Sequence, residues 1–169
     1  RRVLFRSGDS QRYHDGRIAE GAIAECEVQG YVYDAKRRIA VIAREVWRDR
    51  DLAERLDREA DALKERFDEA FWVEERGGYF ALALDGDKRQ VDSATSNIGH
   101  LLWSGIVKAE RVDQVVDRLM SEQLWSGWGV RTMSTQDAAY NPLSYHNGTV
   151  WPHDNSIIAW GLARYERWQ

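Results

Sequence analysis

Asn-Pro-Leu-Ser-Tyr-His-Asn-Gly-Thr-Val-Trp-Pro-His-Asp-Asn occupies residues 141–155 and holds both prolines of the 169-residue chain and two of its four histidines. The run shows neither a helix nor a strand period. Proline lacks a backbone donor and favours extended geometry before it, and Asn147-Gly148 favours a tight turn. We therefore expect an ordered binding loop, followed by a helix over residues 156–168 that Asp154 or Asn155 caps.

Outward from this loop, apolar residues recur at helical spacing in four further segments. These helices should cover residues 22–48, 52–71, 97–106 and 111–120. The first should bury a stripe running from Val28 to Val46. A Gly-Gly pair and an Asp-Gly turn flank residues 79–84, which predicts a small β-hairpin between helices. The predicted fold class is all-α, with helical hairpins closed into a ring because no fixed sequence period supports an open array of repeats.

Composition narrows the class of partner. The net charge of -4 and the interleaving of acidic with basic residues argue against a nucleic-acid surface. No apolar run reaches the ~20 residues that a membrane span needs, so we expect no membrane contact and a cytoplasmic location. Cys26 is the single cysteine, which makes an intrachain disulfide impossible. The sequence leaves the oligomeric state open.

Tryptophan is unusually frequent, with eight in the chain. Indoles fill helical cores, but their flat faces also stack on the apolar faces of sugar rings. We expect three on buried helical faces: Trp47, Trp160 and Trp168. Three others lie among loop signals, where stacking on a ligand is the more natural role: Trp125, Trp128 and Trp151.

Carboxylates lie in or beside the polar loops at seven positions: Asp9, Asp15, Glu20, Glu25, Glu27, Asp92 and Asp154. Glycoside hydrolysis needs two carboxyl groups, one protonated to assist the leaving oxygen and one ionised. Most carboxylates are solvated or cap helices, but Glu27 has apolar neighbours at a helix start, so we expect it to be half-buried. His146 and His153 could hold a metal, yet hydrogen bonding to a hydroxylated ligand explains them better because no His-Glu-x-x-His or cysteine pair accompanies them.

Three stretches together resemble a known family. They are residues 144–155 (Ser-Tyr-His-Asn-Gly-Thr-Val-Trp-Pro-His-Asp-Asn), 127–132 (Gly-Trp-Gly-Val-Arg-Thr) and 27–33 (Glu-Val-Gln-Gly-Tyr-Val-Tyr). The set resembles the bacterial glycogen-debranching-type amylo-α-1,6-glucosidases. More distantly it is similar to neutral invertases, within the six-hairpin glycosidases that include trehalases and glucoamylases.

This resemblance implies a partial (α/α)6 toroid, about half of a six-hairpin barrel, with a small β-hairpin excursion. It implies inverting hydrolysis of an α-glucosidic bond, with α-1,6 branches in glycogen or related glucans as substrate. It also implies an oligo- or polysaccharide partner and neither a metal nor an organic cofactor. An invertase- or trehalase-like hydrolase is the alternative within the group, and a non-catalytic helical module that binds carbohydrate or protein is the rival from another class.

The resemblance further implies that residues 7–169 are a fragment of a six-hairpin catalytic domain. Residues 1–6 (Arg-Arg-Val-Leu-Phe-Arg) resemble translated sequencing adapter, so we expect a non-native leader there. The family's general acid is an aspartate just before Gly-Asp-Ser, a position that falls at Arg6, and its general base is expected beyond the last helix. Asp9 is the nearest candidate catalytic carboxylate, and we expect these 169 residues alone to be inactive.

The resemblance also implies which residues form the substrate-binding wall. Its members are Glu27, Gln29, Trp128, Arg131, His146, Asn147, Trp151 and Asp154. Amide, imidazole and guanidinium groups supply directional hydrogen bonds to sugar hydroxyls, and indole supplies the stacking face.

Overall fold

The computed structural model describes residues 11–167. Its α-helices are α1 (Cys26–Ile42), α2 (Arg50–Phe71), α3 (Asn97–Ser104), α4 (Val112–Leu119) and α5 (Pro152–Arg164). Short strands lie at β1 (Ala24–Glu25), β2 (Trp72–Val73), β3 (Tyr79–Phe80), β4 (Ala83–Leu84) and β5 (Gln90–Val91). A π-helical turn (Ala43–Trp47) extends α1, and a 3-10 turn (Ala109–Arg111) precedes α4. Candidate residue Asp9 and the leader at residues 1–6 lie outside the described residues, as does Trp168.

Helices α1 and α2 form an antiparallel hairpin. Alanines pack where the two helices meet near their connection, which allows close approach. Arg37 pairs with Asp57 and Asp61 across the hairpin, and Arg44 also reaches Asp57. Asp49 caps α2 by accepting a hydrogen bond from the Leu52 amide at 2.9 Å. The hairpin predicted from helical spacing is confirmed, although the α-helix begins at Cys26 rather than at residue 22.

The predicted core stripe of α1 is wrong for most of its length. Val28, Val32, Ile39 and Val46 are each at least 38% exposed. The helix instead buries Cys26, Gly30, Tyr33, Asp34 and Ala40. Apolar residues surround more of this helix than one packing partner can cover. Neighbouring helices approach α1 closely where its side chains are small, as at Gly30 and Ala40, so these positions lie on the buried face.

Two tryptophans expected in the core are also exposed. Trp47 is 57% exposed in the π-helical turn, and Trp160 is 69% exposed on α5. The α5 helix turns Ile158 and Gly161 inward, and Trp160 lies on a different face of the helix. Helical position alone therefore does not place an indole in the core.

The β-structure differs from the single hairpin predicted over residues 79–84. Strand β3 pairs back onto β2, whereas β4 pairs with both β1 and β5, all antiparallel. Gly77 and Gly78 take positive φ in the turn before β3. Asp85 accepts the Asp87 and Arg89 amides and organises the turn before β5. The fold is accordingly mostly helical with two small sheets, rather than all-α.

Helix α5 begins at Pro152, four residues before the predicted start. Proline suits the first helical position because its missing donor would be unsatisfied there, so residues 152–155 are helical and not loop. Neither Asp154 nor Asn155 caps the helix, since both lie in its first turn. The helix crosses α3 closely: a Cβ at Gly99 would lie 2.3 Å from Cγ1 of Ile158. This contact fixes the N-terminus of α5 beside that of α3.

The main core lies between α2, α3, α4 and the β2–β3 pair. Phe67 stacks between Phe71 and Phe80, with ring centroids 4.6 and 4.9 Å away, and Trp72 meets Phe80 edge-on. Fully buried aliphatic side chains complete it: Ile98, Leu101, Leu102, Ile106, Leu119 and Leu124. None of the helices between residues 11 and 167 combines the length and apolarity needed to cross a bilayer.

Candidate functional site

A cleft of about 460 Å³ opens where the N-terminal ends of α1, α3 and α5 converge. The helices contribute Glu27, Val28, Tyr31, Asn97, His100, His153 and Asp154 to its lining. Adjoining segments add Gln11, Glu25, Leu82, Thr95, Ser96, Thr132, Met133, His146 and Trp151. Helix N-termini carry partial positive charge, which stabilises the carboxylates of Glu27 and Asp154 in the first turns of α1 and α5.

Glu27 lies in the first turn of α1 and is half-buried, as the sequence predicts. Its Oε1 accepts a hydrogen bond from Nδ2 of Asn97 at 2.9 Å. Burial raises the pKa of this carboxyl, and the negative charge of Glu25 adds to the effect against the hydrogen bonds that lower it. Glu25 lines the same cleft and accepts from Nε2 of Gln11 at 2.8 Å.

Asp154 lies in the first turn of α5 and lines the same cleft as Glu27. The Ser96 hydroxyl donates to its Oδ2 at 2.5 Å. Burial alone would raise its pKa, but the neighbouring His100 and His153 and the Ser96 hydrogen bond outweigh burial and hold the pKa below its usual range. Two carboxyl groups in one cleft therefore have pKa values shifted in opposite directions.

Tyr31 and His100 join the site, and sequence reasoning missed both as binding residues. The Tyr31 hydroxyl lies 2.5 Å from Nδ1 of His100, and Nε2 of the same ring lies 3.5 Å from Oδ1 of Asp154. Burial, helped by the negative charges of Glu27 and Asp154, raises the pKa of Tyr31 to about 12. A lone histidine in an apolar helix resembles a core residue. The available signal was the i, i+4 spacing of Ser96 and His100, which places two polar groups on one face.

An aromatic wall closes the other side of the cleft. The Trp151 indole donates to the Tyr145 carbonyl at 2.9 Å, and its ring lies 4.4 Å from the Tyr145 ring. His146 stacks nearly parallel to Trp151 with ring centroids 6.2 Å apart. The bridge between Arg131 and Val150 ties this loop to the preceding one. The predicted loop therefore does present aromatic and imidazole groups to a cleft.

Of the eight predicted wall residues, Glu27, His146, Trp151 and Asp154 line the cleft and the others do not. Gln29 folds back to the Glu25 carbonyl at 3.3 Å. Arg131 donates to the Trp125 carbonyl at 2.7 Å and so braces its own loop.

The remaining two wall residues differ in exposure. Trp128 is 94% exposed at the tip of a tight turn, where the Ser126 hydroxyl accepts the Trp128 and Gly129 amides. Asn147 is only 6% exposed and borders a separate groove with Arg12 and Arg17. Spacing in the sequence does not reveal which loop side chains turn inward.

The other predicted carboxylates serve different contacts. Asp15 pairs with Arg17 in solvent, and Glu20 is exposed. Asp92 accepts from His14, whose Nδ1 lies 2.6 Å away. Among residues 11–167, no group of three or more His, Cys, Asp or Glu side chains is arranged to hold a metal ion.

Asp137 is a buried carboxylate that sequence reasoning overlooked. Its Oδ2 accepts the Ala94 amide at 3.0 Å, and its Oδ1 lies 3.5 Å from Nη2 of Arg76. Burial raises its pKa to about 6, against the opposing effects of the Ala94 hydrogen bond and Arg76. The Ser134 amide also donates to the Ala94 carbonyl. Asp137 thus anchors the segment that carries Ser96 and Asn97 into the cleft.

The cleft gathers carboxylates, imidazoles and an indole where the N-termini of three helices converge. The family model of the mannosylglycerate hydrolase MGH1-like glycoside hydrolase domain matches residues 1–168. The chain therefore belongs to this glycoside hydrolase family.

Two solved structures share the fold. A sialidase superposes with a TM-score of 0.78 at 15% identity, covering 94% of this chain and 15% of the sialidase chain. Neutral trehalase Nth1 from Saccharomyces cerevisiae superposes with a TM-score of 0.74 at 16% identity, covering 93% of this chain and 31% of the trehalase chain. The chain thus spans less than a third of either structure. A sequence search of curated proteins gives no match.

These comparisons confirm the resemblance at the level of a six-hairpin glycoside hydrolase, of which this chain matches a part. The narrower expectation of an amylo-α-1,6-glucosidase is not specifically supported by them. The leader at residues 1–6, the catalytic role of Asp9 and the cytoplasmic location stay predictions.

Proposed function

We propose that this chain forms one wall of the substrate cleft in an inverting glycoside hydrolase that cleaves an α-glucosidic bond. The observation that carries the proposal is the pairing, in one cleft, of anchored carboxylates with the Trp151 indole. Carboxylates accept hydrogen bonds from sugar hydroxyls, and an indole covers the apolar face of a pyranose ring. A cleft built for an apolar ligand would not retain so many polar groups.

The charge of the wall favours a neutral substrate. Within the described residues, the cleft lining includes Glu25, Glu27 and Asp154 but neither lysine nor arginine. The family is named for hydrolysis of mannosylglycerate, whose carboxylate would meet these negative charges without a basic partner from this wall. We therefore place branched α-glucan, with its α-1,6 bonds, first among substrates. Trehalose, suggested by the trehalase likeness, is the second candidate because it is also neutral.

Neither Glu27 nor Asp154 is assigned as general acid or base. Inverting hydrolysis requires carboxyl groups about 6.5 to 9.5 Å apart on opposite sides of the scissile bond. Glu27 and Asp154 are instead tied to the adjacent residues Asn97 and Ser96, so both belong to one wall. We propose that they bind substrate hydroxyls, with Asp9 retained as the candidate catalytic carboxylate.

The test is hydrolysis of a substrate panel by the full-length protein that contains this chain. Branched dextrin, trehalose, sucrose and mannosylglycerate are incubated separately, and the released sugar and its first-formed anomer are followed by proton NMR. We expect glucose from branched dextrin, released as the inverted β-anomer. Asp154→Asn should reduce kcat/KM by about tenfold, the loss of one charged hydrogen bond, while the exposed control Asp87→Asn should not.

Each other outcome has a defined meaning. Glucose from trehalose alone would replace the substrate while keeping the reaction class. Mannose from mannosylglycerate would contradict the charge argument. Binding of branched dextrin without hydrolysis of any panel member would favour the non-catalytic carbohydrate-binding module.

A further inference from the structure

His100 is the most buried ionisable residue that lines the cleft, with 5% of its surface exposed. It projects from α3 between Tyr31 of α1 and Asp154 of α5. Its Nε2 is buried without a hydrogen-bond partner among the described side chains. A buried polar atom left without a partner costs free energy, so its presence in a binding cleft calls for a functional explanation.

The Tyr31 hydroxyl contacts one nitrogen of this ring. It lies 2.5 Å from Nδ1, and which of the two groups donates depends on the tautomer of the ring. Donation by the hydroxyl, whose pKa burial raises to about 12, places the imidazole proton on Nε2. Nε2 faces Oδ1 of Asp154 at 3.5 Å, too long for a full hydrogen bond but close enough to favour the ionised carboxylate.

Only one carboxylate oxygen of Asp154 accepts a short hydrogen bond from the described residues. Oδ2 accepts the Ser96 hydroxyl at 2.5 Å. Oδ1 lies 3.5 Å from Nε2 of His100 and 3.5 Å from Nδ1 of His153. The anchored oxygen fixes the carboxylate plane, and the other retains capacity to accept a shorter hydrogen bond.

We propose that Tyr31 and His100 are positioning residues that keep Oδ1 of Asp154 ionised and turned toward the cleft, where it accepts a hydrogen bond from one hydroxyl of the bound sugar. The inference rests on the proposed function and adds the recognition of a particular hydroxyl to it. His100 does not touch the sugar in this arrangement. It acts through Asp154.

The charged and titratable groups around Asp154 come from three helices. Tyr31, Glu27 and Cys26 face this region from α1, His100 comes from α3, and His153 adjoins Asp154 on α5. Burial disfavours the Asp154 anion, while the two imidazoles favour it. Replacing the His100 imidazole by a ring without nitrogen should therefore raise the pKa of Asp154, because the burial would remain.

The hydroxyl contact is tested by the affinities of the full-length protein for D-glucose and its 2-, 3-, 4- and 6-deoxy analogues, measured by titration calorimetry. We expect the wild type to bind one analogue about tenfold more weakly than glucose. Asp154→Asn should bind glucose about tenfold more weakly, yet bind that same analogue as the wild type does. If Asp154→Asn weakens all five sugars equally, or none, the hydroxyl contact is wrong. The exposed variant Asp87→Asn is the matched control and should reproduce the wild-type series.

The positioning role is tested by three variants with a readout that needs no sugar. Carbon-13 NMR of the Asp154 carboxyl gives its pKa directly. His100→Phe keeps the ring volume without a nitrogen and should raise that pKa, whereas His100→Gln keeps a donor near the Nε2 position and should leave it close to the wild-type value. Tyr31→Phe should give an intermediate shift, because Nδ1 of His100 loses the hydroxyl that lies 2.5 Å from it.

Sugar affinity should follow the same order. His100→Phe should bind glucose about tenfold more weakly, with the loss greatest at low pH, and His100→Gln should restore most of the affinity. An unshifted Asp154 pKa in His100→Phe, or equal effects of Phe and Gln, would overturn the positioning role. A wild-type protein that binds no hexose would refute the proposed function instead, and the pKa series would still decide whether His100 controls Asp154.

Discussion

The hydroxyl of Ser96 donates a 2.5 Å hydrogen bond to Oδ2 of Asp154, although the two residues are 58 positions apart in the sequence. The bond joins the N-terminus of α3 to the first turn of α5. Beside it, Asn97 donates to Glu27 in the first turn of α1. Two consecutive residues therefore hold two of the three carboxylates that line the cleft, and the segment they belong to organises the site.

Removing the Ser96 hydroxyl should weaken substrate binding with little effect on folding. In Ser96→Ala, Asp154 loses its one short hydrogen bond and should turn from its present orientation. We expect KM to rise about tenfold, equivalent to about 1.4 kcal/mol. Ser156→Ala is the control, because the Ser156 hydroxyl only donates to the His153 carbonyl at an exposed position of α5. Equal KM values for the two variants would argue against an orienting role for Ser96.

Substituting Asp137 should change how stability depends on pH. Its pKa is about 6 in the folded protein against 3.8 for an unperturbed aspartate, so the folded state binds the proton more tightly. The stability that protonation provides is complete below pH 3.8 and is lost as pH rises to about 6. The difference between Asp137→Asn and wild type should therefore grow by on the order of 2 kcal/mol in favour of the variant across this window. Urea unfolding at pH 4, 5, 6 and 7 measures it, and a pH-independent difference would contradict the raised pKa.

A methyl group at Gly99 should disturb both stability and the site. The added Cβ would lie 2.3 Å from Cγ1 of Ile158, inside van der Waals contact. We expect Gly99→Ala to lower the free energy of unfolding by about 1 to 3 kcal/mol and to raise KM, because α5 and Asp154 must shift. Combining it with Ile158→Ala should cost less than the sum of the single substitutions. Strict additivity would show that the helices do not cross at this point.

Trp128 should matter only for long substrates. The residue is 94% exposed and lies outside the cleft, on a turn that Ser126 holds in place. Trp128→Ala should leave thermal stability and trehalose kinetics unchanged. It should weaken binding of branched dextrin by about 1 kcal/mol if a distant glucose unit stacks on the indole. Equal losses for both substrates would place Trp128 at the reacting sugar instead.

The sequence predicted the helical hairpins well because their periodicity is local. Helix α2 and the pair α3 and α4 lie within a few residues of their predicted bounds. The start of α5 was missed because the same proline that suits a loop also suits the first position of a helix. The buried face of α1 was missed because the choice between several apolar stripes depends on which partners pack against the helix.

Four of the eight predicted wall residues line the cleft, and contacts between distant parts of the chain decide which four. Glu27, His146, Trp151 and Asp154 could be named from the residues that carry the resemblance, and they do line the cleft. His100 could not, because its role arises from contacts with Tyr31 and Asp154 that lie far away in the sequence. Gln29 and Arg131 do not line the cleft because their side chains bond nearby backbone carbonyls, and their role in substrate binding stays a prediction.

The central claim is that the cleft between the N-termini of α1, α3 and α5 is the sugar site. A crystal structure of the full-length protein soaked with glucose tests this most directly. We predict a pyranose ring whose apolar face contacts Trp151 and whose hydroxyls lie within hydrogen-bond distance of Oδ1 of Asp154. Glucose bound only in the groove of Arg12, Arg17 and Asn147, or only against Trp128, with the cleft empty, would contradict the account.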